Sequence, residues 1–288
     1  MVRYVNLSLS TTYIMTYLFI SCLLVEPRVA QNLPKVNNLM ESRIVGGSKA
    51  AKGQFPYIVS IQLKDEDDFH FCGGAILSPD WVVATASCFD IFSSYENIII
   101  NAGTNKVRGN EDTEQKVGVE KVMRHEKYRQ WVVAYDIALI KLNKPLSLSK
   151  YVAAINLPAA GAEPSGMAVL SGWGSISSTN ERIMPNDLHM VIVPILEFRT
   201  CKEALDKSVG SEDLNERMVC TGPLTKRVSA CLGDHGGPLV GLNSQNGIEL
   251  IGLVAFTIGN PCGSQPVPTM YTKVSFYVDW IRERTEPN

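Results

Sequence analysis

The chain has 288 residues, 45% of them hydrophobic, which is enough to bury a large core as one all-β unit or as two small domains. Its 27 basic and 29 acidic residues are almost balanced and scattered along the sequence, which argues against nucleic acid or an anionic membrane as a ligand. A protein or peptide partner is therefore favoured.

The N-terminus carries an apolar run over residues 13–25 that is shorter than a bilayer span and is typical of a secretory leader. We expect residues 1–30 to be a signal peptide cut near Ala30, although Arg28 is not the small residue preferred there. An uncleaved anchor is the alternative. No later segment reaches transmembrane length, so the exported chain is expected to be secreted and free of the membrane.

A polar segment, residues 31–43, separates the leader from a region in which short apolar segments alternate with turns. Six of these segments alternate or are β-branched as strands are: 57–63, 97–101, 138–142, 167–170, 189–193 and 250–254. Many short, evenly spaced strands predict a β-sandwich or barrel.

Two helices are predicted, one over residues 197–205 and one at the C-terminus. Ser275 is the candidate N-cap of the second helix. Its helical spacing is carried by Val274, Tyr277, Val278 and Ile281.

Seven cysteines are present, and removal of the leader with Cys22 leaves six. An even number in an oxidising compartment predicts three disulfides, with buried free thiols as the alternative. The count leaves the pairing open. The six are Cys72, Cys88, Cys201, Cys220, Cys231 and Cys262.

Six motifs follow one another in a defined order. They are Arg43-Ile-Val-Gly-Gly47, Cys72-Gly-Gly with Trp81-Val-Val-Ala-Thr-Ala-Ser-Cys88, Asp136-Ile-Ala-Leu-Ile-Lys-Leu142, Ser171-Gly-Trp-Gly174, Cys231-Leu-Gly-Asp-His-Gly-Gly-Pro-Leu239 and Tyr271-Thr-Lys-Val274. Together they resemble the chymotrypsin and trypsin family of serine proteases from residue 44 to 285. The segments Thr221-Gly-Pro-Leu224 and Val228-Ser-Ala-Cys231 look most like its arthropod members.

The resemblance implies a domain over residues 44–288, built from two packed six-stranded antiparallel β-barrels with a C-terminal helix. It implies the disulfide pairs Cys72–Cys88, Cys201–Cys220 and Cys231–Cys262. Residues 31–43 would then be an activation propeptide that no cysteine tethers, and the chain would be a monomer without a cofactor.

The family hydrolyses peptides with a serine nucleophile, a histidine base and a buried aspartate. The resemblance retains the aspartate as Asp136. It puts Ser87 where the family has its histidine, and His235 where the family has its serine. The oxyanion-hole positions are the amides of Gly233 and His235. The chain is thus expected to be a degenerate peptidase that does not cleave peptides.

The exchange of the two residue types leaves an alternative, a weak or altered endopeptidase that uses Ser87 and His235 in reversed roles. The expected geometry argues against it, because the oxyanion donors serve a carbonyl attacked from position 235. Asp136 would also contact Ser87 instead of orienting the imidazole of His235.

The resemblance implies an altered substrate pocket as well, with Ser229 at the floor and Ala255, Phe256, Thr257 and Thr269 in the walls. Nothing at the floor selects a basic side chain. Threonine at two positions that are often glycine should narrow the pocket.

The activation switch is expected to survive. Arg43 resembles a site cut by a trypsin-like protease, and Asp234 is the family's partner for the new ammonium group of Ile44. Cleavage could therefore order the cleft, because a buried carboxylate gains from a matched cation. The alternative is that these residues persist only because the fold tolerates them.

No metal is expected. Asp136 and His235 are only two ligands of unknown separation, which is not a zinc site. The family's calcium loop would map near Thr104, Glu111 and Glu114, with Thr104 where a carboxylate is usual, so calcium binding there is the less favoured alternative.

The sequence therefore favours a secreted binding protein that engages a protease, an inhibitor or an immune component. The weak enzyme is one alternative, and a structural or storage protein with a borrowed fold is another.

Overall fold

The computed structural model describes residues 47–286, except 65–67, 131, 178, 180–182, 209, 213, 226–227, 258–261 and 264. The predicted leader, the segment 31–43 and the residues Arg43 and Ile44 lie outside the described residues. Within this part of the chain, no helix is long and apolar enough to cross a membrane.

Six antiparallel strands form a first closed barrel in the order β2-β3-β4-β7-β6-β5. They are β2 (Ile58–Leu63), β3 (Phe69–Ser78), β4 (Trp81–Ala84), β5 (Ile98–Ala102), β6 (Gln115–Arg124) and β7 (Ala138–Leu142). Alternate side chains of β2 and β5, such as Val59, Ile61, Ile98 and Ile100, are fully buried inside it. Because every second side chain of these strands is apolar and faces inward, closing the sheet into a barrel buries them together.

The second barrel is formed by β8 (Met167–Gly172), β9 (His189–Leu196), β10 (Met218–Thr221), β11 (Pro238–Leu242), β12 (Ile248–Phe256) and β13 (Thr269–Lys273). Pairing of β8 with β9 closes the ring, so this barrel also has six strands. A two-residue strand, β1 (Ser48–Lys49), adds to β9 outside the ring. The expected pair of six-stranded antiparallel barrels is confirmed.

All six strands predicted from periodicity are confirmed, with ends that shift by up to three residues. The two predicted helices are α1 (Phe198–Asp206) and α2 (Val278–Thr285). The assignment of Ser275 as an N-cap is wrong. A 3-10 turn over Val274–Phe276 precedes α2, the cap position is Tyr277, and the Ser275 hydroxyl is buried without a hydrogen-bond partner.

Three disulfides join Cys72 to Cys88, Cys201 to Cys220 and Cys231 to Cys262, the pairing that the family resemblance implies. The first two fasten a helical segment to a strand: the 3-10 helix Ala86–Phe89 to β3, and α1 to β10. The first therefore fixes the short helix that carries Ser87.

Candidate functional site

Ser87 is held against Asp136 by two hydrogen bonds. Its amide nitrogen donates to Oδ1 at 2.8 Å and its hydroxyl donates to Oδ2 at 2.8 Å. The 3-10 helix that follows β4 presents both donors in the same direction. The contact expected between Asp136 and Ser87 is therefore present.

Asp136 is fixed from the other barrel as well. The Thr272 hydroxyl of β13 donates to its backbone carbonyl at 2.7 Å. The preceding residue, Tyr135, has a φ of 62°, a left-handed conformation that is uncommon for a side chain of this size and turns the chain into β7. Burial raises the pKa of Asp136 to about 6, although the two hydrogen bonds from Ser87 act to lower it.

His235 lies in the tight loop that joins Cys231 to β11. This loop packs directly on β3: the Gly73 amide donates to the His235 carbonyl at 2.7 Å. A Cβ atom at Gly236 would lie 2.5 Å from the carbonyl oxygen of Gly73, so only glycine fits at this approach.

The imidazole of His235 is half-buried and makes no hydrogen bond or ion pair with any described residue. Burial lowers its pKa below the ordinary histidine value, so the ring is neutral at physiological pH. Asp136 and Ser87 are thus joined to each other, and His235 is not joined to either. Across residues 47–286, apart from the gaps given above, no three potential metal ligands cluster together.

Asp234 is buried beneath the same loop. Its carboxylate accepts hydrogen bonds of 2.8 Å from the amides of Gly174 and Cys231. Glycine is required at position 174, because a Cβ there would lie 2.3 Å from the carboxyl carbon. Burial raises the pKa of Asp234 to about 6, since these two amides only partly offset the loss of water.

The neighbouring His70 holds the loop from its other side. Its Nε2 hydrogen-bonds the Gly233 carbonyl at 2.8 Å and its Nδ1 hydrogen-bonds the Ser60 hydroxyl at 2.7 Å. Burial lowers the pKa of His70 to about 4, so it is a neutral structural group. Nothing in the sequence around Ser60 signalled its part in this chain of contacts.

The expected oxyanion donors are the amides of Gly233 and His235. Gly233 has a φ of 97°, and neither amide donates a hydrogen bond to a described residue. Because the Asp234 amide between them is bonded to the Cys231 carbonyl at 2.9 Å, the loop holds its conformation without using these two donors.

The expected pocket residues Ser229 and Thr269 come together and are buried. The Ser229 hydroxyl donates to the Ala230 carbonyl at 2.6 Å, and the Thr269 hydroxyl accepts from the Ala230 amide at 3.3 Å. The Thr269 side chain therefore stands beside the floor segment. The other expected wall residues lie at the end of β12 and just after it. Ala255 is buried, Thr257 is half-buried and Phe256 is 41% exposed.

The loop that the family uses for calcium is closed by the chain's own donors. Glu111 accepts from the Thr104 hydroxyl at 2.7 Å and the Asn105 amide at 2.8 Å, and Lys52 lies 3.5 Å away. Burial acts to raise the pKa of Glu111, but these contacts lower it overall. Glu114 accepts from Asn101 at 2.6 Å, so both carboxylates already have donors.

Two antiparallel six-stranded barrels, the three disulfides and a cleft segment with Asp136 beside the short helix define a chymotrypsin-like fold of the serine-protease class. The chain belongs to the trypsin family, whose model, described as Trypsin, matches residues 44–281.

Curated relatives agree with this assignment. Anionic trypsin of Canis lupus familiaris is 35% identical over 86% of this chain and 92% of its own length. The venom peptide isomerase heavy chain of Agelenopsis aperta is 34% identical over 83% of this chain and 98% of its own length. Trypsin-1 of Astacus astacus is 33% identical over the same shares. Arthropod members are thus among the relatives, within about two percentage points of the identity of the canine trypsin.

Proposed function

We propose that this protein is a secreted serine-protease homologue that does not cleave peptides and acts by binding a protein partner. The observation that carries the proposal is the pair of hydrogen bonds from Ser87 to Asp136, with the His235 imidazole left out of them. The family's reaction needs a hydroxyl that donates to an imidazole, and here the hydroxyl donates to the carboxylate.

The reach of the two side chains supports the same conclusion. A serine hydroxyl is much shorter than the imidazole that the family places at position 87, so the Ser87 oxygen stays beside Asp136. At position 235 an imidazole stands in place of a nucleophilic oxygen. Loss of a single nucleophile or base in a related enzyme costs about a million-fold in turnover, so two losses leave background rates.

The activation residues fit a protein that is first cut by a protease and then binds its partner. Arg43 would be cut by a trypsin-like protease, and the released ammonium of Ile44 would pair with the buried carboxylate of Asp234. The partner would be a protease, an inhibitor or an immune component that contacts the loops around the cleft. The apolar run at residues 13–25 supports export of the chain.

The decisive test is hydrolysis of a broad peptide-ester panel by the chain cut after Arg43. We expect no turnover above that of the Ser87→Ala variant for any ester, because only substrate binding and the oxyanion donors are left to accelerate the reaction. The Ser87→Ala variant, prepared in parallel, exposes any contaminating protease, since contamination gives equal rates in both samples.

Turnover that disappears with both Ser87→Ala and His235→Ala, tested separately, would contradict the proposal and make the exchanged pair a catalyst. A binding role is tested in parallel by capture from defined mixtures of proteases and serpins, with the chain before and after the cut at Arg43. If no component is retained above background in either form, the binding role is wrong.

A further inference from the structure

A cavity of about 360 Å³, which we call the α1 cavity, is lined by the start of α1 and by β10. None of its lining residues belongs to the candidate site described above. The disulfide between Cys201 and Cys220 joins α1 to β10 and forms part of the cavity wall. The two sides of the α1 cavity are therefore held together covalently, and the cavity is a fixed feature of the fold.

Much of the wall of the α1 cavity is apolar. Leu196, Phe198, Leu214 and Met218 line it, and Phe198, the first residue of α1, is 52% exposed. An apolar cavity of about 150 Å³ is large enough for a benzene ring, so the α1 cavity has room for a leucine or phenylalanine side chain. Such a side chain would remove the exposed apolar wall from water, which favours binding.

The charged residues that line the α1 cavity are mainly acidic. They are the exposed glutamates Glu163, Glu197 and Glu216, and one buried lysine, Lys273. Glu163 pairs with Lys273 at 2.6 Å, and Glu216 pairs with Arg217 at 2.6 Å. The carboxylate of Glu197 makes no hydrogen bond or ion pair with any described residue. The surroundings of the cavity therefore favour a partner with positive charge and disfavour one with negative charge.

From these features we infer that the α1 cavity binds a segment of a partner protein that carries a leucine or phenylalanine with lysine or arginine on either side. The apolar side chain enters the cavity, and the basic side chains lie near the exposed glutamates. A basic side chain is unsuited to the interior, because Lys273 is a cation with a side chain only 7% exposed and lines the same cavity.

This inference goes beyond the proposed function. It concerns residues outside the cleft, and it holds whether or not the chain cleaves peptides. A failure of one therefore leaves the other standing.

The test uses short fluorescent peptides and the full chain. The parent peptide has one leucine between two pairs of lysines, with both ends blocked. One control peptide replaces the leucine by serine, and another replaces all the lysines by glutamate. Fluorescence polarisation measures the dissociation constants. We expect the parent peptide to bind with a Kd below about 1 mM, and each control peptide to bind at least about tenfold more weakly.

Variants of the chain locate the binding site. Phe198→Ala removes an exposed part of the apolar wall and should weaken binding of the parent peptide about tenfold. Glu197→Gln with Glu216→Gln should weaken it about fivefold and reduce its dependence on salt, because exposed charge pairs are weak and screened.

Matched control variants lie on the first barrel. Phe69→Ala removes another exposed phenylalanine, and Glu96→Gln with Glu120→Gln removes the same charge at exposed positions. Both should leave the affinity unchanged. All substituted positions are exposed, so the variants should fold, and thermal unfolding checks this.

Several results would overturn the inference. These are no binding of the parent peptide, equal binding of the serine peptide, tighter binding of the glutamate peptide, or an affinity unchanged by both sets of cavity variants. Cleavage of a peptide during the titration, detected by mass spectrometry, would contradict the proposed function and leave this inference intact.

Discussion

The Ser87 hydroxyl donates to Oδ2 of Asp136 at 2.8 Å, and the Ser87 amide donates to Oδ1 at the same distance. The carboxylate is 3% exposed, so these are the donors that compensate most of its lost hydration. Ser87 therefore has a structural part of its own, because it keeps a buried acid hydrogen-bonded.

Replacing Ser87 by alanine should destabilise the fold. The hydroxyl is one of two Ser87 donors to a buried carboxylate, and removal of such a partner costs about 1 to 3 kcal/mol. We expect the free energy of unfolding of Ser87→Ala to fall by this amount at pH 7, measured by urea unfolding. Ser93→Ala, at an exposed serine, is the matched control and should change little. Equal stability of the two variants would mean that the hydroxyl bond contributes nothing.

Asp234 should make stability depend on pH. Burial raises its pKa to about 6, so the folded chain binds this proton more tightly than the unfolded chain does. The stabilisation is therefore present at low pH and is lost as the pH rises from about 4, the unfolded value, to about 6. Across that interval the uncut chain should lose about 3 kcal/mol relative to Asp234→Asn, which cannot ionise.

The comparison is made by urea unfolding of both chains at several pH values, so that the titration of all other groups cancels. Asparagine replaces one acceptor oxygen by a donor, which lowers stability by a constant amount and leaves the slope unaffected. In the chain cut after Arg43, the ammonium of Ile44 should lower the pKa of Asp234. The difference in free energy of unfolding between the unsubstituted chain and Asp234→Asn should then depend less on pH. If this difference in free energy of unfolding did not change with pH even in the uncut chain, the prediction would be contradicted.

Sequence periodicity predicted six strands and missed others of two kinds: short buried strands such as β4, β10 and β13, and the largely exposed strand β6. Strand β5 is buried throughout and β-branched, whereas β6 carries lysine, glutamate and arginine and has a single fully buried residue, Val117. Strand β6 is a strand because β5 and β7 both pair with it. Its own residues do not require that structure, so tertiary context decides it.

Some features of the candidate site were likewise predictable from the sequence, and others were not. The contact of Ser87 with Asp136 was predicted, because the motifs that hold them have fixed places in the family. The hydrogen bond from His70 to Gly233 joins residues 163 positions apart, and the left-handed backbone of Tyr135 depends on the packing around it. No local pattern encodes such features, and only the folded barrels bring them together.

Calcium should not stabilise this protein. The Glu111 oxygen Oε2 accepts from both Thr104 and Asn105, and Lys52 lies 3.5 Å from Oε1. Glu114 accepts from Asn101 and has Lys116 at 3.7 Å. A calcium ion would have to displace these donors and the nearby ammonium groups. We expect the melting temperature to be unchanged by calcium or by a chelator, with sodium chloride at matched ionic strength as the control. A rise specific to calcium would show that the loop still binds the ion.

Placing the family's residues at positions 87 and 235 should show whether these two residues or the shape of the substrate pocket limit ester hydrolysis. The double variant Ser87→His with His235→Ser returns the base beside Asp136 and the nucleophile beside the Gly233 amide. We expect it to hydrolyse esters with a small side chain, such as alanine, and not those of lysine or phenylalanine. Each single reversion should stay at background, because a nucleophile without its base, or a base without its nucleophile, gives little turnover.

Adding Thr269→Gly to the double variant should widen the accepted side chain. Removing the Thr269 side chain clears the space beside Ser229, at a cost of about 1 kcal/mol for glycine in a strand. We expect kcat/KM for phenylalanine esters to rise, while kcat/KM for alanine esters changes little, because the small side chain never reached the obstruction. If the double variant already hydrolyses phenylalanine esters as fast as alanine esters, Thr269 does not close the pocket.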